Sequence, residues 1–360
     1  MTSTDEQKIE NDEVPRARNR VTSRDIAAAA GVSQTTVSNV LNRPDLVAPE
    51  TLKRVQEVIS EQGFVVNSFG RALRMGRSRA LGVVVLDLGN PFWAEVTRGI
   101  ESAASELGYS VLLGSSDERE EKERQLLGLF EEHRVEGVLV SSVHVDSVAM
   151  RSLARRGTKV VLLDQGSPDS HYSSVRENQI LGAQLVANHL IANGHRRIAF
   201  VNGPHSVPWC AERSEGLRQG VSACGFDPDE IIVEIPIETM TAHSAEAATE
   251  QVLNLDARPT AIFCVNDLVA LGMLKQFARR GIRVPQDFSM VGFDDSYFAS
   301  QLSPSLTTIR QQPYALGKRA TELMASLDSK SPTSAVVFEP SLIDRDSVAT
   351  IPISPAEQQV

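Results

Sequence analysis

Cysteine is scarce in this chain. Cys210, Cys224 and Cys264 form no C-x-x-C pair and share no metal-ligand spacing with histidine. They fit buried thiols in a reducing cytosol better than a disulfide framework or a zinc site. Long apolar runs are also missing. None approaches the ~18 residues a membrane helix requires, and no charged-then-apolar leader is visible. Secretion and membrane insertion are both disfavoured, and a cytoplasmic, nucleoid-associated protein is expected. The chain carries no G-x-S-x-G, H-E-x-x-H, Walker A or Gly-rich dinucleotide sequence, and its seven histidines are scattered. An enzyme is therefore not expected, nor is a metal or cofactor.

Positive charge is in deficit overall, with a formal net charge of −10, but the deficit is uneven. Residues 1–14 carry five acids and one lysine, residues 15–79 carry eleven Lys/Arg against five acids, and the remaining 281 carry 24 against 36. A basic block of +6 therefore precedes an acidic body of −12. That asymmetry is the footprint of a DNA-binding head on a separate body. Residues 1–20 are polar and poor in aromatics, and read as a disordered arm whose Arg16, Arg18 and Arg20 add phosphate contacts.

The basic block contains two short helical patterns between Thr22 and Asn42. Ile26, Ala27 and Ala30 form an apolar stripe, Ser23 is placed to cap the first helix, and Gly31 ends it. Ser33 caps a second helix whose Val37, Val40 and Leu41 face inward. Gln34, Thr35, Ser38 and Asn39 then point outward, with no acid among them. A helix showing short hydrogen-bonding side chains suits the DNA major groove. A helical hairpin inside a globular core is the competing reading. A third helix is expected from Thr51 to Gln62, with Gly63 as its stop.

From residue 80 onward, apolar runs alternate with helical patterns of 12–18 residues. The runs are ALGVVVL, SVLLG, GVLVSS, KVVLLD, RIAFVNG, IIVEI, AIFCVN and FSMVGFD. Such alternation predicts parallel sheets covered by helices. Ligand contacts in these folds gather at strand carboxyl ends, which directs attention to 90–93, Asp164, Asn266–Asp267 and Asp294–Asp295.

The segments GVSQTTVSNVLN, EQGFVVNSFGRAL, NPFWAEVTRGIESAASELGY, NGHRRIAFVNGP, ERSEGLRQGV, PTAIFCVNDLVALGMLKQFARRGIRVPQDFSMVGFDD and LTTIRQQPYALGKRATELM resemble, in order, blocks of the LacI/GalR family of bacterial transcription regulators. The resemblance covers about Thr22 to Asp346. It implies an α-helical helix-turn-helix head over 21–66, a hinge helix over 67–78, and an α/β periplasmic-binding-protein-like body over 79–345. The body would hold two doubly wound parallel-sheet lobes, at 79–173 plus 309–338 and at 178–305, with crossings near Ser174, near Thr307 and close to the end. Residues 346–360 are left as a tail.

The resemblance also implies roles for particular residues. Gln34, Thr35, Ser38 and Asn39 take base-reading positions. Glutamine and asparagine pair with adenine, whereas the family often carries arginine, which prefers guanine, where this chain has Asn39. Thr22, Ser33, Thr36, Asn42, Thr51 and Asn67 suit phosphate oxygens, with helix capping as the alternative for Ser33 and Thr51. Leu73 matches a leucine that wedges into the minor groove, beside Arg71.

In the cleft, Arg213, Asp294, Asp164 and Asn266 are the polar ligand candidates, and Phe92, Trp93 and Trp209 the aromatic ones. Such a set fits a polyhydroxylated ring, so a carbohydrate effector is expected, with a purine or nucleoside as the alternative. Glu177 stands where the family usually carries aspartate. The implied partners are a pseudo-palindromic operator and a second copy of the chain, with a tetramer as the larger assembly. Helices near Pro91–Leu107 and Gln125–Glu132 would form the dimer surface. A phosphorylated carrier protein is the alternative co-effector.

The hinge departs from the family at Val66, where proline is common, and at Gly70, where alanine is common. Glycine costs about 1 kcal/mol relative to alanine in a helix interior. Gly70→Ala is therefore expected to tighten operator binding and blunt its release by effector. Operator titrations by fluorescence anisotropy check this, and unchanged affinity counts against a hinge that folds on DNA.

Overall fold

In a computed structural model, which describes residues 21–64, 78–142, 147–166, 171–328 and 331–352, the first helix is capped by Thr22 and not by Ser23. The Thr22 hydroxyl accepts from the Asp25 backbone N–H at 3.4 Å, while the Asp25 carboxylate accepts from Thr22 N–H at 2.8 Å. This reciprocal pair needs an acid three residues beyond the cap, and only Thr22 has one. Ser23 becomes the first residue of α1 (Ser23–Ala30), which ends at Gly31 in the left-handed conformation, φ 64°. Helix α2 (Gln34–Asn42) starts from Ser33, whose Oγ accepts from Thr36 N–H at 3.0 Å.

Helix α3 (Pro49–Gln62) begins two residues before the expected Thr51. Proline serves the first helical position well because its missing N–H would have no intrahelical partner there. Thr51 therefore lies inside the helix and does not cap it. Ile26, Val37 and Val55, all fully buried, tie the three helices together. The chain divides into two compact units, Met1–Gly76 and Arg77–Val360. The expected arm over residues 1–20, and most of the expected hinge, lie outside the described residues.

The second unit contains two six-stranded sheets. The first is built from β1 (Ala80–Val85), β2 (Ser110–Ser115), β3 (Gly137–Val140), β4 (Lys159–Leu163) and β5 (Ser173–Glu177), in the order β2-β1-β3-β4-β5 and all parallel. Helices α4 (Pro91–Glu106), α5 (Glu120–Glu132) and α6 (Val148–Arg155) lie between them in sequence.

Helix α7 (Gln179–Ala192) then leads to β6 (Ile198–Asn202), α8 (Pro208–Ala223), the short α9 (Pro228–Ile231) and β7 (Ile232–Pro236). After these come α10 (Ala245–Leu253), β8 (Ala261–Cys264), α11 (Asp267–Arg279), β9 (Ser289–Asp294) and β10 (Thr307–Arg310). They form a second sheet with the same winding, β7-β6-β8-β9-β10. Helix α12 (Pro313–Ser326) and β11 (Ala335–Phe338) return to the first sheet, and β12 (Ser341–Ile343) joins the second antiparallel to β10. The winding produces a switch point in each sheet, β1/β3 and β6/β8, outside which a ligand crevice forms.

The inner strands are apolar throughout because helices cover both faces. Leu81, Val83, Val84 and Val85 of β1 and Ile262 and Phe263 of β8 are fully buried. Helix α12 packs on α4 at backbone contact: a Cβ on Gly99 would lie 2.1 Å from the Tyr314 carbonyl oxygen, and one on Gly317 2.0 Å from that of Val96. Helix α4 thus spends its inner face, including Ile100 and Ala103, inside its own lobe.

Three expected boundaries move. Ser174 lies within β5, paired with β4 and β11, so the first crossing follows Glu177. Thr307 lies within β10, paired with Val291, so the second falls at Gln311–Gln312. The third crossing is between Phe338 and Ser341 and not close to the chain end. Strands β5 and β10 are polar, SSVRE and TTIR, and do not stand out as apolar runs.

The expected tail is also corrected as far as residue 352. Ser347 is fully buried; its Oγ donates to the Met290 carbonyl at 2.6 Å and accepts from Thr307 N–H at 2.8 Å. The Asn193 carbonyl accepts from Ile351 N–H at 2.8 Å, and the buried His195 ring joins Thr260 Oγ1 to the Ala349 carbonyl. Short polar residues made this segment look unstructured, yet backbone pairing with the second lobe holds it.

Two substitutions test these attachments. Ser347→Ala leaves two buried backbone groups without partners and should lower the body's unfolding free energy by about 2 kcal/mol, read from urea titration of the full chain. Thr22→Ala removes the cap of α1 and should cost the head about 1 kcal/mol, read as a lower melting temperature of the head transition only.

Candidate DNA-reading face and interlobe cleft

On the head, the apolar spacing of α2 turns Val37 and Val40 into the core. Gln34 and Thr35 are exposed as a result, and Ser38 and Asn39 are half-buried on the same outer side. Ser33 and Thr36 are joined by their hydroxyls at 2.9 Å, and Ser33 also caps the helix. The Thr22 hydroxyl is held by Asp25 at 2.7 Å. Thr22 and Ser33 thus cap helices, a role expected from the sequence for Ser33 and compatible with phosphate contact. No acidic residue lies within α2. The Asn42 side chain and the whole of Asn67, Arg71 and Leu73 lie outside the described residues.

The body gathers Asp164, Arg213 and Asp294 into one buried cluster. Asp164 follows β4, Asp294 ends β9, and Arg213 reaches them from α8. Gln179, the first residue of α7, connects them. Its side-chain Oε1 accepts from Arg213 Nε at 2.9 Å, and its Nε2 donates to Asp164 Oδ1 at 2.9 Å and to Gln311 Oε1 at 3.3 Å. Gln311 Nε2 in turn donates to Asp294 Oδ1 at 2.6 Å. Arg213 Nη1 donates to the Val265 carbonyl, at the carboxyl end of β8. The guanidinium carbon lies over two aromatic rings, 3.6 Å from the Phe293 centroid and 4.6 Å from that of Trp209.

Two more acids complete the cluster. Glu177 is fully buried; one oxygen accepts from Gln312 N–H at 2.6 Å, and the other has no hydrogen-bond partner among the described residues. Asp267 accepts from Ser296 N–H and Thr308 Oγ1, both at 2.7 Å. Burial pushes Asp164 up to about 6, against the pull of Arg213 and of hydrogen bonds from Glu177 and Gln179. Burial likewise raises Glu177 to about 7, only partly offset by the Gln312 N–H. Asp294 rises to about 7 by burial, opposed by Arg213, Gln311 and Asn90. Asp267 is also raised, by burial and by Asp294 beside it.

The remaining candidates are placed differently. Phe92 and Trp93 are packed edge to face at 5.0 Å within the hydrophobic core of the body, 5% and 3% exposed. Asn90, which caps α4, is the residue of that block that reaches Asp294. Asn266 uses both ends of its amide internally: Oδ1 accepts from Val269 N–H at 2.9 Å, capping α11, and Nδ2 donates to the Met240 carbonyl at 2.9 Å. Trp209 is placed against Arg213, and its indole N–H has no partner among the described residues. Gln179, Gln311 and Phe293 were not singled out from the sequence. The two glutamines follow β5 and β10, the polar strands that gave no apolar signal.

Residues 22–67 match the family described as bacterial regulatory proteins, lacI family, and residues 187–348 match a periplasmic binding protein-like domain. The HTH-type transcriptional repressor PurR of Vibrio atlanticus (strain LGP32) is 32% identical to this chain, over 92% of the chain and 99% of that relative. The lac repressor dimer, solved with its operator and the anti-inducer ONPF, superposes with a TM-score of 0.80 at 28% identity. It covers 92% of this chain and 100% of the solved one. The transcriptional regulator CelR in complex with cellobiose gives a TM-score of 0.67 at 30% identity, over 91% of this chain and 100% of that one. With head, body and nearly the full length of such relatives matched, the chain belongs to the lacI family of bacterial regulatory proteins.

Proposed function

We propose that this protein is a homodimeric, sequence-specific repressor whose grip on a pseudo-palindromic operator is set by a small molecule in the interlobe cleft. The observation that carries the reading is the outer side of α2. Its amides and hydroxyls stand on a helix capped at both ends of its turn and free of acidic side chains. Gln34 and Asn39 each offer the paired donor and acceptor that match an adenine edge in the major groove. Thr35 and Ser38 suit either hydroxyl-to-base or hydroxyl-to-phosphate contact. The cytoplasm, where DNA is found, is the compartment this function requires.

For the effector we favour a carbohydrate. Asp164 and Asp294 accept from hydroxyls, Arg213 and the two glutamines donate, and Trp209 offers an aromatic edge beside them. A purine or nucleoside is the second reading, favoured by the amides of Gln179 and Gln311, which can pair with a base edge. Ligand would act through its different affinity for two lobe arrangements, passed to the operator-bound heads.

Three measurements test the reading. Asn39→Arg should move the preferred base at one operator position from adenine toward guanine in a binding selection, and an unaltered consensus would refute the base-reading role. Operator affinity should fall steeply with salt, each phosphate contact adding about 0.9 to the log–log slope; a flat dependence would sink the DNA-binding head. Ribose, cellobiose, adenine and adenosine should be screened by thermal shift of the full chain, where ligand binding to the native state raises the melting temperature. Arg213→Lys should abolish the shift given by any active compound, because an ammonium cannot hold both Gln179 and Val265 in the same geometry.

A further inference from the structure

The charge balance of the cleft is lopsided. Four buried carboxyls, Asp164, Glu177, Asp267 and Asp294, surround a single buried guanidinium, that of Arg213. Part of its donor set is already engaged: Nε serves Gln179 and Nη1 serves Val265. The donors that remain suit single hydrogen bonds to a neutral ligand, whereas a phosphate placed here would meet the surplus of carboxyls in a medium of low dielectric.

We propose that the cleft takes an uncharged, hydrogen-bond-donating effector, rejects the phosphorylated form of the same compound, and gives up a proton to solvent when the effector binds. The proposal rests on the cleft being the effector site. Regulators of this architecture could sense either a free sugar or nucleoside or its phosphate ester, and the carboxyl surplus decides between them.

The proton follows from the same geometry. Asp294 faces Arg213, Asp164 and Asp267, with Gln311 and Asn90 donating to it. Asp164 faces Arg213 and Glu212, with Gln179 and the Glu177 N–H donating. Glu177 faces Asp164, Arg213 and Asp294, with one oxygen on Gln312 and the other without a partner. Nearby outer charges are paired elsewhere: Glu212 with Arg176 at 2.7 Å, and Asp295 with Arg310 at 2.6 Å and Arg345 at 2.5 Å. So many acids beside one cation leave the set partly protonated near neutral pH, with Asp164 at about 6 and Asp294 and Glu177 at about 7. An effector O–H or N–H donating to one of these carboxyls stabilises its ionised form. Its O–H bond breaks, the electron pair stays on the carboxylate, and the proton passes to buffer. The sign is therefore fixed: affinity rises with pH up to about 7 and levels off above it, as the carboxyl that loses its proton becomes ionised before binding.

The test is isothermal titration of the full chain with two matched pairs, ribose and ribose 5-phosphate, adenosine and AMP. Each is run at one pH in two buffers of different ionisation enthalpy, and then from pH 6 to 8. The expected result is that the neutral member of one pair binds and its phosphate ester binds at least ~100-fold more weakly. The observed heat should differ between buffers with the sign of proton release. Affinity should weaken below pH 7 toward tenfold per pH unit for each proton released. Glu177→Gln removes one of the acids at similar shape. It should lower the number of protons released and narrow the discrimination against phosphate, a pair of changes that a merely structural role would not produce. A phosphate ester binding as tightly as its neutral partner, or heats that are identical in both buffers, would overturn the proposal. Silence from all four compounds overturns the cleft reading itself, and this proposal with it.

Discussion

A guanidinium taken out of water is the constraint on which the body is built. The effective cost of burying an ion is several kcal/mol even after the protein relaxes. Arg213 is buried completely, so its surroundings have to supply acceptors, opposite charge and polarisable faces. The Val265 carbonyl and the Gln179 amide are the acceptors, Phe293 and Trp209 the faces, and Asp164 and Asp294 the charge. Acids recruited in excess repel one another, and the surplus is relieved by protonation. The raised values at Asp164, Glu177 and Asp294 are thus a consequence of the same burial, not a separate feature.

The elements carrying this cluster were the least legible in the sequence. Eight strands carry apolar runs, and those runs predict them directly. Strands β5 and β10 are Ser-, Thr- and Arg-rich and lead to the lobe crossings; each gives the core a single apolar side chain, Val175 and Ile309. They look like loops, so Gln179 and Gln311 beyond them had no strand end to mark them. Asp164, Asp294 and Asn266 do stand at strand ends as the apolar runs indicate, yet the runs carry no sign that the Asn266 amide caps α11. In the N-P-F-W block at the end of β1, helical periodicity places Phe92 and Trp93 in buried positions, and Asn90 reaches Asp294.

The head was more legible, because its logic is local. Caps at Thr22 and Ser33, apolar stripes, and stop glycines at Gly31 and Gly63 describe its helices without reference to distant partners. The misplaced cap, Ser23 in place of Thr22, came from weighing the cap alone without the acid three residues later, and the late start given to α3 came from overlooking Pro49 as a first helical residue. Such a pattern fixes which face of α2 is outward, but reading DNA depends on the outward side chains, and there the information is chemical. Amides in place of arginine imply a different base preference at the same position on the helix.

The position of the two glutamines also bears on how a ligand could move the lobes. Gln179 lies just after the first crossing and Gln311 at the second, and each hydrogen-bonds an acid or amide brought by another segment. Their amides already occupy Asp164 Oδ1 and Asp294 Oδ1, the acceptors a ligand hydroxyl would seek. On the proposed reading a ligand would exchange with groups of the crossings themselves, and not with loosely held surface water. Exchange at Gln179 would release its bond to Asp164 across the first crossing, so occupancy and lobe geometry would be coupled at the same atoms. The sheets, packed on both faces, resist distortion, so a change at the crossings would be expressed as rotation of one lobe against the other. Differential binding of two lobe arrangements needs no further transmitting pathway within the body.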